Sequence, residues 1–174
     1  WGWLIVLGLI GAFLAMRAAL RDPALRLRWH AFILRIPLIG RLSRATNTAR
    51  FASTLAILTK SGVPLVEALS IAAAVIANLR IRERVVEAAQ KVREGSSLTR
   101  ALDATGEFPP MMLHMIASGE KSGELDQMLA RTARNQENDL AAQVSLLVGL
   151  FEPFMLVFMG AVVLIIVLAI MLPI

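Results

Sequence analysis

Apolar and polar positions divide the chain into three regimes. Residues 1–16 and 153–174 carry no charged side chain, whereas between them apolar residues recur every three or four positions among charged ones. That spacing marks amphipathic helices, and no run of alternating β-branched residues bounded by hairpin turns interrupts it. Phe51, Leu55 and Leu58, flanked by Ala49, Ala52 and Ala56, define one helix that Gly62 stops. Pro64 opens the next, with Leu65, Ala68, Leu69, Ala72 and Ala73 carrying the period to about Ala77. Leu79 to Arg93 forms a third, with Ile81, Val85, Ala88, Ala89 and Val92 inside and Arg84–Glu87 and Glu87–Lys91 pairs outside. Gly95 closes it, and Ser97 caps a short helix containing Leu98, Ala101 and Leu102. Pro109-Pro110 starts a helix reaching Ser118.

The last helix begins near Gly123 and passes through Leu125, Met128, Leu129 and Ala133, then a polar stretch, Gln136 to Asp139, then Val144, Leu147 and Leu150. It is expected to run on into residues 153–174, with Pro153 as a kink or junction. The turn before it, Gly119 to Asp126, is expected to place Gly119 at positive φ as the end of the preceding helix. Ser122 then caps the following one, and Glu124 and Asp126 lie in its first turn, where the macrodipole favours negative charge.

About 20 apolar residues span a bilayer as a helix, so the 22 residues of 153–174 predict a transmembrane segment. Residues 1–20 predict another. A signal peptide would carry its positive charge before the apolar run, whereas here Trp1 and Trp3 lead and Arg17, Arg21, Arg26 and Arg28 follow. Asp22-Pro23 re-aims the chain, and residues 24–36 mix aliphatic, aromatic and basic groups as a short helix along the membrane face would, with His30 solvated or interfacial. Pro37-Leu38-Ile39-Gly40 reads as a linker. The expected organisation is all-α: a transmembrane helix over 1–20, a basic juxtamembrane segment over 21–42, a roughly six-helix antiparallel bundle over 43–142, and a transmembrane helix with its lead-in over 143–174.

The chain has 174 residues, 57% of them hydrophobic, and a net charge of +5. Nine basic residues against one acidic fall within residues 1–62, leaving nine basic against twelve acidic in the rest. A basic cluster beside a span is a positive-inside signal and a contact for anionic lipid. No aromatic stacking residues or readout motif accompany it, which argues against nucleic acid. With no cysteine, disulfides, thiolate metal sites and thiol nucleophiles are excluded.

Enzyme chemistry finds no foothold, and no cofactor is expected. His30 and His114, the two histidines, lie in separate segments without carboxylates at ligand spacing, and no phosphate-cradling glycine motif occurs. His114 reads as structural. Glu120, Glu124 and Asp126 offer oxygen ligands, but Lys121 beside them and the helix start argue against a metal site. Glu152, between Phe151 and Pro153, stands either at the cytoplasmic interface or within the apolar layer, paired there with a basic group of a neighbouring helix or subunit. Arg80, Arg82, Arg84 and Glu87 form the charged face offered to a partner.

Several segments resemble type II secretion system protein F, whose domain is shared with the inner-membrane core protein of type IV pili. They are Ala49-Arg50-Phe51-Ala52-Ser53-Thr54-Leu55, Ser61-Gly62-Val63-Pro64-Leu65 with Ala68-Leu69, and Ser118-Gly119-Glu120 with Ser122-Gly123, Leu125 and Asp126. Glu152-Pro153, the closing Leu172-Pro173-Ile174 and Pro37-Leu38-Ile39-Gly40 also fit, so the resemblance covers nearly the whole chain. It implies a multi-pass protein of the bacterial inner membrane with its central domain cytoplasmic. It further implies a non-enzymatic, homo-oligomeric platform contacting a cytoplasmic assembly ATPase, other inner-membrane components and pseudopilins. This chain would correspond to the C-terminal half. A type IV pilus platform is the alternative, and a transporter fragment a more distant one. The turn from Gly119 through Glu120, Ser122 and Gly123 to Asp126 becomes, on this resemblance, a signature of the fold.

Overall fold

A computed structural model describes residues 2–19 and 21–172; Trp1 and the closing Pro173-Ile174 pair lie outside the described residues. Eight helices account for the secondary structure there: α1 Gly2–Ala19, α2 Pro23–Ile33, α3 Pro37–Lys60, α4 Leu65–Ala74, α5 Leu79–Arg93, α6 Leu98–Asp103, α7 Pro110–Ser122 and α8 Leu125–Met171. No strand occurs among the described residues.

Local chemistry sets the boundaries. Proline opens α2, α3 and α7 at the first turn, where its missing N–H costs nothing. The Asp22, Asn78 and Ser97 side chains accept hydrogen bonds from the first amides of α2, α5 and α6. Pro37 to Gly40 is therefore not a linker. It is the first turn of α3, and Gly40 is glycine because a Cβ there would run into the Leu34 carbonyl.

From α3 to α8 each helix packs on its successor, and α8 returns to α3, making the most extensive contact in the molecule and closing the bundle. Phe51 and Leu55 of α3, Leu69 of α4, Ile81 and Val85 of α5, Leu98 and Leu102 of α6, Met112 and Ile116 of α7, and Leu129 of α8 fill its centre. Phe51 meets Phe108 with ring centroids 5.3 Å apart, an edge-tilted pairing that aromatic quadrupoles favour. Alanines 52, 56, 68, 72, 73, 88 and 101 line the seams, which lets the helices approach closely.

Helix α8 has 47 residues, about 70 Å at 1.5 Å per residue. Its buried residues, Leu129, Thr132, Ala133 and Gln136, belong to the bundle, and the helix then continues past Pro153 to Met171. Pro153 removes one donor, leaving the Gly149 carbonyl without its usual helical partner. Among the described residues α8 alone is long and apolar enough to cross a bilayer by itself; residues 3–19 meet that description only when joined to Pro23–Ile33, to which they lie at 106°.

Candidate functional site

The turn leading into α8 differs from the sequence expectation at Gly119, at Ser122, which ends α7 instead of capping α8, and at Glu124, which precedes the first turn of α8. Gly123, at φ 75°, is the left-handed residue that ends α7, whereas Gly119 lies inside α7 and is buried. Glu124 occupies the cap position of α8, with its amide 3.4 Å from the Ser122 hydroxyl, and Asp126 sits in the first turn. Gly119 is small for a different reason. A Cβ there would lie 2.8 Å from Cβ of Met128 and 3.0 Å from Cα of Leu125, so α7 and α8 touch at this point almost backbone to backbone.

Glu120 turns away from Glu124 and Asp126. Its carboxylate accepts from the Leu98 amide at 2.6 Å, the Thr99 amide at 3.0 Å and the Thr99 hydroxyl at 2.6 Å, satisfying free amides at the start of α6 from across the bundle. The acidic trio therefore does not converge. No group of three potential metal ligands occurs among the described residues.

The charged face of α5 also divides. Arg84 does not pair with Glu87. Its guanidinium donates to Glu107 at 2.7 Å and to the Thr105 carbonyl at 2.8 Å. Arg44 of α3 reaches the other oxygen of Glu107 at 2.8 Å, and the Glu107 side chain is only 4% exposed. One buried carboxylate thus ties α3 and α5 to the loop before α7. Arg82 donates twice to the Ile76 carbonyl, at 2.8 and 2.6 Å, closing the α4–α5 turn. Arg80 lies 4.0 Å from Glu83 at the surface, and Glu87 is exposed. Of the four residues, Arg80 and Glu87 are the two whose side chains tie no other element to α5 among the described residues.

His30 is a joint rather than a solvated residue. Its Nδ1 accepts the Leu79 amide at 2.9 Å, and its carbonyl accepts from Asn78 Nδ2 at 3.3 Å, so α2 is clamped to the start of α5. Asn47 of α3 accepts the Ala77 and Asn78 amides at 2.8 and 3.2 Å, extending the joint into the bundle. Burial, reinforced by the nearby Arg26 charge, lowers the His30 pKa below its usual 6.5. A base with a depressed folded pKa binds fewer protons folded than unfolded. Its contribution is therefore present above 6.5 and lost as pH falls from there through the folded value. Thermal unfolding over that acid range should lose stability more steeply in the native protein than in His30→Gln. Identical pH profiles for the two would remove His30 from the joint.

His114 is exposed on α7. Glu152 is exposed on α8, and Arg17, Arg21, Arg26 and Arg28 are exposed along α1, α2 and the turn between them. Glu107 and Asn47 went unread in the sequence because their partners lie far along the chain; Asn78 caps α5 locally and also reaches the His30 carbonyl 48 positions away. Gln136 left a trace, since it continues the spacing of Leu129 and Ala133 yet is polar; it stands 3.3 Å from the Thr48 hydroxyl, buried with it. A groove of about 470 Å³ beside these residues holds Arg41, Arg44, Glu107 and Asp139, with no nucleophile and base side by side.

Residues 51–173, a stretch that holds the buried Phe51 and all of α4 to α8, match the family described as type II secretion system (T2SS), protein F. The chain belongs to that family. Type II secretion system protein F of Pseudomonas aeruginosa is 76% identical over 174 residues, all of this chain and 43% of its own length. The protein of the same name from Aeromonas hydrophila is 54% identical over 172 residues, 99% of this chain and 44% of its own. Type IV pilus assembly protein PilC of Thermus thermophilus is 40% identical over 141 residues, 80% of this chain and 35% of its own. The chain thus spans less than half the length of these protein F relatives. Gly119, Glu107 and Glu120 all lie within the stretch matched to protein F, and Arg44, one of the two partners of Glu107, precedes it.

Proposed function

We propose that this chain is part of a non-enzymatic inner-membrane platform of a type II secretion system, linking a cytoplasmic assembly ATPase to pseudopilus assembly. In this reading α1 and the C-terminal part of α8 cross the inner membrane, the bundle over 43–142 is cytoplasmic, and the platform is a homo-oligomer that also meets other inner-membrane components. The observation that carries the reading is α8, one helix that supplies Leu129 and Ala133 to the bundle core and then becomes the apolar segment. A helix rooted in the core at one end transmits any tilt of the bundle to the bilayer. Arg80 and Glu87, on the exposed flank of α5, are the proposed ATPase contact.

A flexible Gly-Ser insert after Gln143 should abolish secretion by the full-length protein while leaving its amount in the membrane unchanged, because the linker no longer conveys orientation. Undiminished secretion would sink the coupling. Arg80→Glu with Glu87→Lys should reduce ATPase co-purification without unfolding the bundle, since neither residue holds the structure. The pilus alternative draws on relatives with pilus names, such as the Thermus thermophilus protein, but the two more similar relatives above carry the secretion name. Restoration of secretion rather than of pili in a deletion strain separates the two.

A further inference from the structure

The outer face of α2 has a composition that nothing in the bundle answers. Leu25, Trp29 and Phe32, spaced by four and three, are 44%, 43% and 54% exposed. The Trp29 and Phe32 rings stack with centroids 6.1 Å apart, forming one apolar ridge. Leu38 and Ile39 in the first turn of α3 are exposed as well. Around them stand Arg21, Arg26, Arg28, Arg35 and Arg41, all exposed, and among the described residues none has a carboxylate within 4.0 Å. The inner face of α2 is fixed through His30 to Leu79 and Asn78.

We infer that α2 and the first turn of α3 form a lipid-binding foot, its aromatic ridge lying among the headgroups of an anionic bilayer and its arginines on their phosphates. Aromatic rings with a polar edge settle at the headgroup level, and arginines extend from such a helix towards phosphate. A second copy on this face would oppose five arginines to five. Because α2 is clamped to α5 and, through Asn47, to α3, lipid contact at the foot fixes how the whole bundle stands on the membrane. The inference rests on the membrane placement of α1 and α8 proposed above.

The test uses the full-length protein in nanodiscs with single environment-sensitive labels, which the absence of cysteine from this chain simplifies. Labels at Leu25→Cys on the foot, Lys91→Cys on α5 and Val157→Cys in α8 are read against doxyl-labelled lipid. The Leu25 and Val157 labels should be quenched and the Lys91 label not, and Leu25 quenching should grow when phosphatidylglycerol replaces phosphatidylcholine. Each arginine near an anionic surface is worth about five-fold, so Arg26→Gln, Arg28→Gln and Arg35→Gln together should lower the docked-to-undocked ratio about 100-fold. A silent Leu25 label beside a quenched Val157 label overturns the foot and leaves the span standing. Silence at both overturns the span. Quenching indifferent to lipid charge, or a Leu25 crosslink to a second copy or to the rest of the protein in place of quenching, also refutes the inference.

Discussion

Gly119→Val is expected to destabilise the protein by about 3 kcal/mol or more, the upper range for forcing volume into a packed interface. A Cβ at 2.8 Å from Met128 Cβ and 3.0 Å from Leu125 Cα meets backbone on one side, which has no rotamer to yield. Helix propensity acts the other way, since alanine in place of glycine inside a helix gains about 1 kcal/mol. In Gly119→Ala that gain offsets part of the clash, so alanine should cost less than valine and still be unfavourable. The contrast is Gly123, where φ is 75° and a Cβ would meet nothing. Gly123→Ala should cost about 1 kcal/mol, the usual strain of a side chain in the left-handed region. Thermal unfolding in a fixed detergent ranks the three. A ranking with Gly123→Ala worst would mean that backbone conformation, not helix contact, governs this turn.

The second large effect belongs to Glu107. Glu107→Ala leaves Arg44 and Arg84 facing each other across the space of a carboxylate that held both. Removing one partner of a buried ion pair costs about 3–5 kcal/mol. The Arg44 and Arg84 side chains are 42% and 37% exposed, so water screens them and the expected loss falls to about 2–3 kcal/mol. Glu107→Gln should recover part of it by accepting one of the two arginine hydrogen bonds. In a double-mutant cycle, Arg44→Gln and Arg84→Gln should each lose most of their effect once Glu107 is gone. Full additivity would show the three residues to be independent.

The helices were legible because burial here follows period: Phe51 and Leu55, Ile81 and Val85, Leu98 and Leu102 occupy core positions that spacing alone indicates. The tendency of Gly62 and Gly95 to end helices was legible too, and both take positive φ. What escaped were polar residues whose partners lie far along the chain. Glu107 meets Arg44 across 63 positions and Asn47 meets Asn78 across 31, and no local pattern encodes such distances. Gly119 and Gly123 illustrate the finer ambiguity. Both are glycines beside a helix end, yet one is required by a neighbour's proximity and the other by its own torsion angle.

Arg82 and Arg84 were misread for a related reason, since an arginine on the polar face of an amphipathic helix looks solvated until a carbonyl or carboxylate from another element reaches it. Pro37 to Gly40 misled through composition, because a Pro-x-x-Gly segment reads as a linker unless Leu34 is known to lie against the glycine.

The closure of the bundle by α8 against α3 has a consequence for biosynthesis. Chains are made from the N-terminus, and domains fold as their parts emerge. The face of α3 carrying Phe51 and Leu55 appears early, but Leu129, Thr132 and Ala133, which complete the ring, are made last among the core residues. The next segment to leave the ribosome is the apolar stretch after Pro153. Completion of the core and delivery of the apolar stretch are therefore consecutive events on a single helix.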